Sequence, residues 1–148
     1  MSARGATLLA LFLSLAPPAS AQDGPAPSGD QRRALAEIEK ALASISRQDY
    51  AGALAAASGS IEAHPENPRA LNLKAFALNR MGRYDESLAA SEGSLGFKAD
   101  NPEALRQVAF SRFCLGDSGE AELQAGRAIQ LDPRNAESWG LRAIARRA

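Results

Sequence analysis

The chain has 148 residues, with Lys+Arg and Asp+Glu both numbering 17 and a formal net charge of zero. Such a balance provides no positive field to draw nucleic acid or an anionic membrane. Alanine is abundant and β-branched and aromatic residues are scarce, which favours helices over strands. The single cysteine, Cys114, excludes an intramolecular disulfide.

The first 21 residues read as a secretory signal. Arg4 gives a short positive region, Ala6–Ala16 an apolar run, and Ala19-Ser20-Ala21 a small-residue cleavage site. The run is about 11 residues, against the roughly 20 that a membrane-spanning helix needs, so cleavage after Ala21 leaves no membrane span. Arg4 is the only charge removed, and the remainder carries about −1. Residues 22–30 (QDGPAPSGD) lack apolar periodicity and are expected to form a disordered linker.

From Gln31 the pattern turns helical, with helices expected at about 31–46, 50–63, 68–81, 84–97, 102–115, 118–131 and 136–147. A period of 34 residues runs through them without insertion or deletion. Asn67, Asn101 and Asn135 keep it, as do Ala41, Ala75, Ala109 and Ala143, and Ile61, Leu95 and Ile129. Each column has a physical reason. Asn67-Pro68 and Asn101-Pro102 set a capping side chain before a proline whose missing N–H costs nothing at the first helical position. Gly82 and Gly116 suit the left-handed residue that ends a helix. The Ala41 column, with Ser60, Ser94 and Ala128, lets helices approach closely.

The stretches NPRALNLKAFALNRMGRYDESLAASEGSL (67–95) and NPEALRQVAFSRFCLGDSGEAELQAGRAIQLDPRN (101–135) resemble the tetratricopeptide repeat (TPR) family, and with the export signal the chain resembles its exported bacterial type. The resemblance implies an all-α solenoid of helical hairpins: a TPR domain over 31–148, with repeats at about 34–67, 68–101 and 102–135 and a capping helix at 136–148. The seventh repeat position, commonly a buried leucine in the family, is here Lys40, Lys74, Val108 and Arg142. Gly59, Gly93 and Gly126 interrupt second helices at about 1 kcal/mol each relative to alanine. A thin core and modest stability are expected.

The resemblance also implies that the first helix of each hairpin lines a concave groove. Carried onto this chain, the groove residues are Ile38, Leu42, Arg69, Asn72, Phe76, Asn79, Arg80, Arg106, Phe110 and Phe113. Arginine can pair a carboxylate, asparagine can bond an extended backbone, and phenylalanine offers a place to bury a side chain. The three phenylalanines could equally pack between repeats. Some members of the family clamp a terminal carboxylate; the corresponding positions here, Ile38, Leu42, Leu73, Glu103 and Gln107, lack cations. The expectation is a monomeric, non-enzymatic adaptor that binds a protein or peptide in the groove, without cofactor or metal, in the periplasm or outside the cell. The alternative is an assembly module that associates with itself through outer faces or repeat ends. Cys114 and His64, the only thiol and imidazole, fall on separate elements and make a poor catalytic pair.

Overall fold

The computed structural model describes residues 26–148; the proposed signal at 1–21 and linker residues 22–25 lie outside the described residues. Seven helices follow in order: α1 (Gly29–Ser46), α2 (Tyr50–Ala63), α3 (Pro68–Arg80), α4 (Tyr84–Phe97), α5 (Pro102–Cys114), α6 (Ser118–Leu131) and α7 (Ala136–Ala145). Their bounds fall within two residues of the sequence expectation. The one correction to the linker is at its end, where Gly29 and Asp30 are helical. Ser28 and Gln31 form a reciprocal capping box, with the Ser28 hydroxyl accepting from the Gln31 N–H and the Gln31 side chain accepting from the Ser28 N–H.

Each helix packs on the next in sequence, and α1, α3, α5 and α7 also touch one another in turn. Among the described residues α2, α4 and α6 make no such mutual contact. The odd-numbered helices therefore form an inner face and the even-numbered helices an outer one. Close approach is permitted by side-chain size. Of 21 buried apolar residues among those described, 15 are alanine, so cohesion comes from dense backbone contact more than from large side chains.

The asparagine column does more than cap. Asn67 and Asn101 accept from the N–H groups of Ala70 and Ala104, starting α3 and α5. Their amides also donate back, to the hydroxyls of Ser60 and Ser94 at 3.5 and 3.1 Å. Those serines in turn donate to the carbonyls of Ala34 and Pro68 in the first helix of their own hairpins. Each asparagine thus links three helices while leaving no buried polar group of its own unmet.

Gly82 and Gly116 adopt φ of +75° and +88° as the helix-end positions require, but the same column in the first hairpin holds Gln48 at φ +60°. A side chain there clashes with the backbone carbonyl at a cost of about 1–2 kcal/mol. Gln48→Gly is therefore expected to raise stability by about 1 kcal/mol, read as a higher urea midpoint at unchanged slope; an unchanged midpoint would show that Gln48 is unstrained.

Candidate functional site

Two neighbouring depressions mark the inner face. The smaller, of about 260 Å³, has Phe76, Phe110, Leu141 and Ile144 as its apolar wall, with Asn79, Gln107, Arg80, Arg106 and Glu137 around them. The larger is a more open trough of about 670 Å³ that includes Leu42, Ile45, Arg69, Asn72, Leu73, Lys98 and Glu103. Phe76 and Arg106 belong to both, so the two depressions form one groove. Small-molecule sites commonly measure about 300–1,000 Å³. The smaller pocket falls below that and suits a single inserted side chain.

The repeat register explains what faces what. Ile38, Asn72 and Arg106 occupy one column, Ile45, Asn79 and Phe113 another, and both columns point toward the following inner helix. The first junction, α1 with α3, is apolar. Ile38 shares a face with Ala34 and Ala41 and is 2% exposed; it is a core residue with no surface to offer a partner, which corrects its assignment to the groove. Leu42, 40% exposed, does face the trough.

The second junction, α3 with α5, is polar. Asn79, 5% exposed, donates from its amide to Gln107 Oε1 at 2.8 Å and accepts from the Ser111 hydroxyl at 2.9 Å. Ser111 is also 3.2 Å from the Ser87 hydroxyl, and Gln107 donates to Glu103 at 2.7 Å. Asn79 touches the pocket but is fully engaged, and its role is to lock α3 to α5. Asn72 is also buried, at 9% exposed, yet its Oδ1 has no hydrogen-bond partner.

The third junction, α5 with α7, turns on Arg106. Its Nη2 donates to both carboxylate oxygens of Glu103, at 2.6 and 2.5 Å, and its Nη1 donates to Glu137 on α7. Burial opposes its charge, but the hydrogen bond and charge of Glu103, together with Glu137, hold its pKa raised. Phe113 packs on Ala109, Ala125 and Leu141 and lines neither depression. Phe110 does both, joining that cluster and walling the pocket.

Tyr50 and Tyr84 brace the pair of groove phenylalanines from behind. Tyr50 meets Phe76, and Tyr84 meets Phe110, edge to face at 6.4 and 6.3 Å. Arg80 lies over the Tyr50 ring, 5.3 Å from its centre. The Cys114 thiol beside Tyr84 holds the phenol pKa above its ordinary value. His64 instead ends α2 beside Gln31, Leu35 and Asn67. Among the described residues, no group of three His, Cys, Asp or Glu is placed to hold a metal.

The groove therefore contains Arg69, Arg80, Lys98 and Arg106 against Glu103 and Glu137, a surplus of two positive charges on a chain of zero net charge. Lys98, Gln107 and Leu141 were absent from the sequence-derived set. Lys98 caps the end of α4, an outer helix, and only the turn into α5 brings it round to the inner face. Gln107 and Leu141 share repeat position six, adjacent to the columns used for the assignment.

This architecture is an all-α TPR-type solenoid of three hairpins and a final helix. The solved TPR domain of Arabidopsis OM64 superposes with a TM-score of 0.77 at 17% identity, over 80% of this chain and 98% of that one. The first TPR domain of human RPAP3 gives 0.75 at 21%, over 78% and 91%. The Sgt2 TPR domain from Aspergillus fumigatus gives 0.74 at 18%, over 84% and 83%. No protein-family model matches the chain and no curated protein matches it in sequence.

Asn79→Ala is expected to destabilise the fold by about 1–3 kcal/mol, because it strands the Gln107 side-chain oxygen in a buried network. Urea denaturation followed by circular dichroism measures this, and a loss under about 0.5 kcal/mol would contradict the network's role.

Proposed function

We propose that the chain is an exported, non-enzymatic adaptor of the cell envelope that holds a peptide segment or partner helix of another protein in the groove of α1, α3, α5 and α7. The observation that carries this reading is the pairing of a side-chain-sized apolar pocket with a polar, positively charged trough on one continuous face. Such a site suits a chain with anchoring side chains better than a free metabolite. Structural neighbours support it by analogy: one is the first TPR of Spaghetti (RPAP3) bound to the HSP90 peptide SRMEEVD, at 21% identity. The positions that clamp a terminal carboxylate in some TPR domains carry other groups here. Leu42 and Leu73 present hydrocarbon, Ile38 is buried, and Glu103 and Gln107 bond Arg106 and Asn79. Recognition by this groove thus differs from a terminal-carboxylate clamp.

Export is supported by the order of Arg4, the apolar Ala6–Ala16 and Ala19-Ser20-Ala21. Among the described residues no helix is long and apolar enough to cross a membrane. Sequencing the N-terminus of the native protein should return a chain beginning at Gln22; an intact Met1 would overturn cleavage.

A photo-cross-linking residue at Phe110, on the groove wall, is expected to trap a host protein, whereas one at Leu123, 58% exposed on α6, traps little. Equal trapping at both positions, or none at Phe110, would remove the groove reading. The self-association reading draws on Trp139, which stands 49% exposed on α7. A monomer by native mass spectrometry of residues 22–148 across micromolar concentrations would dismiss it.

A further inference from the structure

We infer that the groove recognises an extended internal peptide in three parts, with an apolar side chain in the Phe76–Phe110–Leu141–Ile144 pocket, a backbone amide on Asn72, and an acidic side chain between Arg69 and Lys98. This deepens the peptide-binding reading above and rests on it. The sequence offers Arg69, Arg80 and Arg106 alike as partners for a carboxylate, and the geometry separates them. Arg106 already pairs Glu103 and Glu137, and Arg80 lies over Tyr50. A ligand carboxylate approaching Arg106 would have to compete with two resident ones. Arg69 and Lys98 line the trough, are exposed, and have no carboxylate partner among the described residues. Arg80, likewise without a carboxylate, lies over the Tyr50 ring beside the smaller pocket, which leaves Arg69, on α3, and Lys98, at the start of the α4–α5 turn, as the unengaged cations of the trough.

Asn72 supplies the second, independent observation. It borders the same trough, is about nine-tenths buried, and its Oδ1 has no partner. A buried amide left unpaired costs stability, and the other buried amides along this junction are met: Asn79 by Gln107 and Ser111, Asn101 by Ser94 and Ala104. A primary amide offers an acceptor and two donors, so it can bond the N–H or the C=O of a residue in an extended chain, and a turn about χ2 chooses which end faces the trough. Such a bond reads backbone, not sequence. Specificity then falls to the flanking pocket and cations, and an extended strand delivers side chains to both because successive residues point to opposite sides.

The test uses residues 22–148 and end-capped ten-residue peptides containing one Phe or Leu and two Glu, with matched peptides carrying Gln for Glu, measured by fluorescence anisotropy. The Glu peptides should bind about tenfold or more tightly than the Gln peptides at low salt, with the difference shrinking as salt rises. Arg69→Glu with Lys98→Glu should erase that preference. Asn72→Ala should weaken Glu and Gln peptides by the same factor. Methylating the bonded peptide nitrogen should weaken binding to the parent protein but not to Asn72→Ala. Asn72→Ala should also melt no lower than the parent, since it removes an unpartnered amide. Equal affinity for Glu and Gln peptides, or a preference that survives the double reversal, overturns the acidic site. Full affinity or a lowered melting point in Asn72→Ala overturns the backbone anchor. If the peptides fail but cross-linking from Phe110 still traps a host protein, this inference falls and the adaptor reading stands.

Discussion

The structure depends on how closely its helices approach. Alanine columns let backbones come together, and at Ser60, Ser87 and Ser94 a hydroxyl bonds a carbonyl of the facing helix without adding bulk. That choice has a geometric consequence. With small residues at the crossings, the few large ones are left for other faces, and Phe76, Phe110 and Ile144 end up on the inner wall. A core built of leucine would have pushed the helices apart and filled the space that the groove occupies. The recess and the thin core have the same cause.

Because each hairpin contacts only its neighbours, stability is a sum of junction terms and not a property of one central core. The three inner junctions use different chemistry at equivalent positions: isoleucines in the first, amides in the second, and an arginine bridge with Phe113 in the third. The outer salt bridges modulate this little. Arg83–Glu86 is exposed, and Arg112–Glu92 and Arg146–Glu122 are partly so, a setting in which such pairs contribute about 0–1 kcal/mol each.

The helix bounds were readable in the sequence because Asn-Pro, Gly and the alanine columns act locally, within one turn of the residue concerned. The first turn of α1 was missed because Ser28-Gly29-Asp30-Gln31 sits in a Pro/Gly-rich stretch that reads as linker, although its capping box is itself a local signal. The groove was readable only as a list of positions. Whether a groove side chain is free depends on partners about 30 residues away, as with Arg106 and Glu137 or Asn79 and Ser111. By the 34-residue period Ile38, Asn72 and Arg106 are equivalents. Three dimensions separate them into a core residue, an unmet amide and a neutralised cation.

The contrast between Asn72 and Asn79 carries the argument furthest. They lie two turns apart on one face of α3, are buried to nearly the same degree, and differ only in company. Folding alone accounts for Asn79, whose every partner lies within the chain. It does not account for Asn72, where leucine or alanine would cost less. A group that the fold leaves wanting, at the edge of a trough whose cations Arg69 and Lys98 are likewise unpaired, is what remains when the missing partner belongs to another molecule. The same deficit of hydrogen bonds and counter-charge that slightly weakens the empty protein is then the source of affinity when the groove is filled.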